Sequence, residues 1–284
     1  MSKIKKIVNS GKVKHPKKRD IQQILDEIRN YKESIRPDLT EAQIIDLVGE
    51  MEPYFPLGAV NWPNESVFYR ARQLSDTNYQ ELENWDESDF WEVPERFVNG
   101  YGRLNRPQES VFYLSTDFNQ TLKEIRYNQK FPVVVSRFET KRPFTGIRIG
   151  QPSYNGITNE LTKEEQSGGI LFSDFFKDEF SKPVGKGTEF LYRESVAIAD
   201  TYYSVPFKYA QAYTYPAVDN TPDVMNVAFK NKNAHEFLEY TGSVAFQGYE
   251  NNEMDLFCIF DDDYIAHKPS NYAGWLNEKF DLSI

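Results

Sequence analysis

The apolar residues of this chain fall into short runs, and that spacing limits what it can fold into. Ser66–Arg72, Ser110–Ser115, Pro132–Ser136, Val224–Phe229, Ser243–Phe246 and Leu256–Phe260 have strand length and are rich in Val, Ile, Phe and Tyr. Between them lie stretches with helical spacing. Asp20 can cap a helix carrying Ile21, Ile24, Leu25 and Ile28, and Thr40 with Gln43 forms a capping-box pattern ahead of Ile44, Ile45, Leu47, Val48 and Met51. Further helices are expected at about Asp117 to Tyr127, Phe172 to Phe180 and Glu194 to Tyr202. Residues 76–100 are acidic and rich in Trp and Phe and read as a long surface loop with a short helix, and residues 139–188 are otherwise poorly patterned. Strands and helices do not alternate strictly, which predicts an α+β fold, and no internal repeat is present.

Charge divides the chain further. Residues 1–19 form a basic tail bearing Lys3, Lys5, Lys6, Lys12, Lys14, Lys17, Lys18 and Arg19, read as a solvated terminus or, alternatively, as a contact arm for an acidic partner or nucleic acid. Residues 20–60 read as a helical extension closed by Pro53 and Pro56, and 61–284 as the main domain. A formal charge of −10 argues against a surface built to grip nucleic acid. No run approaches the roughly 18 apolar residues of a membrane span, and no long apolar segment follows the basic start. A soluble, cytoplasmic protein is the expectation.

Cys258 sits in the apolar run Leu256–Phe260 and reads as core. His15, His235 and His267 show no ligand spacing, so no metal is expected. Gly185-Lys186-Gly187-Thr188 lacks the spacing of a phosphate loop, and Asp261-Asp262-Asp263 reads as an exposed turn.

The chemistry concentrates between Gly102 and Glu124. Arg103 lies in a turn shaped by Gly102 and Pro107, Tyr113 lies on the strand that follows, and Glu124 comes eleven residues later in a helix. Arg70, on the earlier strand, faces the same cleft if the two strands are neighbours. Guanidinium groups hold phosphate oxygens in bidentate fashion, a tyrosine ring stacks on a planar base, and a carboxylate stabilises the cationic sugar that develops when an N-glycosidic bond breaks. Each residue also has a plainer reading: an ion-paired surface arginine, a core tyrosine, a solvated helical glutamate.

The order of motifs resembles the RES family, whose members occur as toxins of bacterial toxin–antitoxin pairs. Tyr69-Arg70 is similar to its first arginine motif, Gly102-Arg103-Leu104-Asn105 to its Gly-Arg-x-Asn motif, and Tyr113 with Glu124 to its Tyr…Glu pairing. Tyr215-Pro216-Ala217-Val218 followed by Asn226-Val227-Ala228 is similar to its Tyr-Pro-Ser-Val…Asn-x-Ala segment. The match covers about residues 65–245. The resemblance implies an ADP-ribosyltransferase-like fold and an enzyme that consumes NAD as substrate by cleaving its nicotinamide–ribose bond. It implies that Arg70, Arg103, Asn105 and Ala217 hold the dinucleotide, that Tyr69 and Tyr113 line the nicotinamide pocket, and that Glu124 is the key carboxylate, with Arg70 and Tyr113 beside it in catalysis. It also implies a separately encoded antitoxin with a helix-turn-helix part.

One position departs from the pattern: Ala217 stands where the family carries its serine. The missing hydroxyl is worth about 0.5–1.5 kcal/mol as a hydrogen bond. Two alternatives therefore stand beside NAD cleavage: ADP-ribosyl transfer to a macromolecule, and a catalytically silent binding module.

Overall fold

Short apolar strands need partners and amphipathic helices need a face to cover, and the computed structural model shows how both needs are met. It describes residues 20–51, 57–75, 81–152, 162–185, 187–217, 221, 223–230, 233–248 and 253–281. The basic tail, His15, Pro53, Pro56, residues 76–80, Lys186 and Val218 lie outside the described residues.

In chain order the elements are α1 (Ile21–Ser34), α2 (Glu41–Glu50), β1 (Leu57–Trp62), β2 (Val67–Gln73), α3 (Glu87–Phe90), β3 (Val111–Ser115), α4 (Phe118–Glu124), β4 (Val133–Thr140), β5 (Phe144–Pro152), α5 (Lys163–Ser181), α6 (Leu191–Ile198) with a π-turn (Ala199–Tyr203), β6 (Ala212–Pro216), β7 (Met225–Lys230), α7 (Ala234–Phe237), β8 (Leu238–Gly248), β9 (Met254–Phe260), β10 (Ala266–His267) and α8 (Ala273–Phe280). The capping boxes at Asp20 and Thr40 both form. The α+β class is as expected. β1, β5, β6, α7, β10 and α8 are additions to the sequence reading.

These elements form two compact units, one drawn from Met1–Asn61, Glu95–Glu109 and Thr145–Val218, the other from Trp62–Pro94, Ser110–Phe144 and Asp219–Ile284. In the first unit, strands run in the order β1-β5-β6 with β5 and β6 parallel, and α1, α2, α5 and α6 supply the helical mass. Gly168 lets α1 approach α5 closely, since a Cβ there would stand 2.6 Å from Ile24 Cδ1.

The second unit is an antiparallel sheet in the order β7-β3-β2-β4-β8-β9-β10. Alternation sends successive side chains to opposite faces. Ala71, Val133, Val135, Val244, Phe246 and Ile259 meet Phe118 and Leu122 of α4 and Leu276 and Phe280 of α8 on one face. Phe68, Phe112, Phe138 and Phe229 belong to the other face, with Phe90, Trp91, Phe144 and Phe237 packed against them. A bulge in β4–β8 falls between Arg137 and Phe138, and its partner Gly242 takes φ +129°, where a side chain would also strike the Trp275 ring.

Cys258 is buried in β9, and Asp261 Oδ1 accepts from the backbone N–H of Asp263 and Ile265 as a turn residue does. Among the described residues no group of three or more His, Cys, Asp or Glu stands close enough to hold a metal ion. No described helix is long and apolar enough to cross a membrane.

Candidate functional site

The site is built from α4 and the strands beneath it, all in the second unit. Asp117 starts the helix by accepting from Gln120 N at 2.7 Å. Phe118 and Leu122 then fall on the apolar side, where Phe118 meets the Tyr69 ring edge-on at 5.8 Å and stacks on Phe246 at 5.9 Å. The remaining side of the helix carries Gln120, Thr121 and Glu124. Thr121 Oγ1 donates to the Tyr69 carbonyl at 3.4 Å, and Gln120, four residues before Glu124, reaches it along the helix.

Glu124 is half-buried, and its Oε1 accepts two amide donors. Gln120 Nε2 stands 3.0 Å away and Asn226 Nδ2 2.8 Å away. A carboxylate offers only acceptors, so both amides must present their NH₂ ends to it. Gln120 and Asn226 are each 2 % exposed, and their carbonyl oxygens, Gln120 Oε1 and Asn226 Oδ1, have no hydrogen-bond partner.

The strand register places the aromatic candidates relative to this carboxylate. Directly opposed residues of an antiparallel pair share a face. Asn226 opposes Ser115, Tyr113 opposes Ala228, and Ser115 opposes Tyr69. Tyr69, Tyr113, Ser115 and Asn226 therefore lie on the α4 face of the sheet, the face that carries Glu124. Tyr69 and Tyr113 are both half-buried.

Arg70 is not brought to this group. As the neighbour of Tyr69 on a regular strand it points to the other face, opposite Ser136 in the register. There its Nη1 donates to the Phe90 carbonyl at 3.3 Å and its guanidinium lies 5.7 Å from the Phe112 ring centre. Burial, then the neighbouring Arg72, push its pKa down to about 10 against the opposing pull of Glu92. His235 stacks on Trp91 at 3.8 Å on that side, its Nε2 3.3 Å from Glu92 Oε2.

Arg103, Asn105 and Ala217 belong to the first unit. Arg103 donates to the Phe180 and Lys182 carbonyls at the C-terminus of α5 and lies over the Phe180 and Tyr192 rings, as a cation near a helix C-terminus does. Ser195 Oγ donates to the Arg103 carbonyl at 2.9 Å. Asn105 is buried and its Nδ2 donates to the Gly100 and Arg106 carbonyls at 3.2 and 3.0 Å, while the Gly102 N–H donates to the Asn105 carbonyl, closing the 100–106 turn. Arg106 anchors that turn to Glu41 at 2.5 Å and Asp200 at 2.8 Å, and Tyr101 Oη donates to Glu41 at 2.7 Å. Ala217 is buried at the end of β6.

Gln120 is the residue that motif reading passes over. Its signal is its place one helical turn before Glu124, which every helix offers to many residues and which only the buried strand beneath makes informative.

No protein-family model matches the chain, and a search of curated proteins returns no match. Among solved structures, the chain is similar to one in the crystal structure of the M. tuberculosis MbcT-MbcA toxin-antitoxin complex, at 12 % identity over 84 % of this chain and 97 % of that chain. The TM-score is 0.34, too low for the likeness to bear on fold or chemistry.

Proposed function

We propose that this protein consumes NAD by cleaving its nicotinamide–ribose bond, with Glu124 as the carboxylate that faces the ribose. The observation that carries the reading is the arrangement around Glu124: one carboxylate oxygen fixed by the Gln120 and Asn226 amides, on the sheet face shared by Tyr69 and Tyr113. The order of the four RES-like motifs supports it independently, because two of them, Tyr113…Glu124 and Asn226-Val227-Ala228, supply residues of this arrangement.

The chemistry asks little of acid catalysis. Nicotinamide leaves a pyridinium as a neutral molecule, so the C1′–N bond breaks with its electron pair going to the ring nitrogen. The ribose becomes oxocarbenium-like, and an oriented carboxylate stabilises that developing charge. Water adding at C1′ gives ADP-ribose and a proton, and phosphate adding there gives the 1-phosphate of the same sugar. A tyrosine face accommodates the planar leaving group. Arg70 enters this proposal as a structural residue of the opposite sheet face. The dinucleotide-holding roles that the resemblance implies for Arg103, Asn105 and Ala217 remain part of the proposal.

The resemblance extends the reading to a toxin restrained by a separately encoded helix-turn-helix antitoxin. The biochemical test is release of nicotinamide from NAD by purified, folded protein, with and without phosphate. Release with free ADP-ribose or its phosphate supports cleavage. Adenine label retained on a macromolecule redirects the reading to ADP-ribosyl transfer. A folded protein that shifts its melting temperature with NAD yet releases nothing is a silent binding module. Expression of the wild-type chain is expected to deplete cellular NAD and arrest growth, and the Glu124→Gln chain is expected to do neither.

A further inference from the structure

Gln120 presents an energetic contradiction. Its amide is 2 % exposed and spends its NH₂ end on Glu124, which leaves its carbonyl oxygen buried without a donor. Asn226, reaching the same carboxylate oxygen from β7, makes the same sacrifice. A buried acceptor without a partner destabilises a fold, and an apolar side chain of similar volume at that position relieves the loss. The site on a helix that packs through Phe118 and Leu122 has no packing need for an amide at 120. What the amide supplies is direction. Asn226 fixes the carboxylate from the sheet and Gln120 fixes it from within α4, so the carboxylate is held against rotation by two donors on different elements.

We propose that Gln120 is a positioning residue for Glu124, retained at the expense of stability to hold the carboxylate in the orientation that meets the ribose. This rests on the NAD-cleaving reading. Gln120 touches the carboxylate and not the reacting atoms, so its effect falls on turnover through Glu124 rather than on substrate affinity.

The experiment compares Gln120→Met and Gln120→Glu with the wild-type chain by nicotinamide release and thermal melting. Methionine keeps the volume and removes both the donor and the orphaned acceptor. It is expected to lower kcat about tenfold or more with KM within about threefold, and to raise the melting temperature by roughly 2–4 °C. Glutamate at 120 places a second carboxyl beside Glu124; when the two share one proton the bridging contact survives, and when both ionise they repel. That variant is expected to keep activity on the acid side and lose it as pH rises, a shift that a packing role does not produce. A Gln120→Met protein as active as wild type overturns the positioning role. So does one that loses stability and activity together while Gln120→Glu leaves the pH profile unmoved. Absence of nicotinamide release from the wild-type protein overturns the NAD reading and this role with it, whereas release by wild type with undiminished Gln120→Met turnover overturns this role alone.

Discussion

Among the described residues, the carboxylate surroundings of Glu194 and of Glu124 contrast a helix-locking cluster with the candidate site. In the first unit, Glu194 is 0 % exposed and accepts from Tyr31 Oη at 2.6 Å, with Glu179 beside it and Lys182 Nζ at 3.6 Å. Lys182 also pairs with Glu179. Burial, and then the neighbouring Glu179, raise the Glu194 pKa from 4.5 to about 8. Burial, with Glu194 next, pushes the Tyr31 hydroxyl above its usual range. The cluster ties α1 to α5 and α6, and Arg193 adds donors to the Leu39 and Pro37 carbonyls at 2.7 and 2.8 Å. In the second unit, Glu124 is half-buried, its Oε1 accepts from the Gln120 and Asn226 amides, and it lies on the sheet face that also carries the half-buried Tyr69 and Tyr113. A carboxyl sealed among a tyrosine, a lysine and a second carboxyl is suited to locking helices together. One whose Oε1 is oriented by two buried amides on different elements suits the role proposed for Glu124.

The sharpest way to break this contrast is Glu124→Gln. Turnover is expected to fall by about 100- to 1,000-fold, the usual scale for removing a group that stabilises developing charge, with the melting temperature within about 2 °C of wild type. A parallel fall in stability places Glu124 with the anchors. Glu194→Ala is expected to do the reverse. Opening a buried, hydrogen-bonded charge cluster costs about 3 kcal/mol, read by urea unfolding, while nicotinamide release per folded molecule stays unchanged.

A pH series sharpens the same comparison. The folded-state pKa of Glu194 lies above its unfolded value, so its contribution to stability is complete below about pH 4.5 and is lost as pH rises toward about 8. The stability of wild type relative to Glu194→Gln is therefore expected to decline across that window. A difference that stays flat with pH contradicts the raised Glu194 pKa. The smallest effect is expected from Ala217→Ser. The position is buried, and a new hydroxyl there costs about 1 kcal/mol unless it finds a partner. Less than a tenfold change in nicotinamide release is expected; a larger gain makes the alanine the factor that limits activity.

The sequence alone determined the α+β class, both N-terminal helices with their capping boxes, and β2, β3, β4, β7, β8 and β9, because caps and short apolar runs are local signals. Among the elements it missed are β1, β5 and β6, whose mixed residues become strands by pairing with neighbouring strands, and α8, whose Leu276 and Phe280 gain meaning from the sheet they cover. Glu124 and Tyr113 stand out in the motif order, whereas the reading that put Arg70 in the same cleft as Tyr69 is corrected by the strand register, which sends the two to opposite faces. What only the tertiary structure decided is which residues share a face and which donors are spent. Asn226 meets Glu124 across 102 positions of chain, and Arg103 is drawn to the end of a helix 77 positions away. Such pairings depend on strand register and on where a helix ends in space, and neither leaves a periodicity that the chain can display in one dimension.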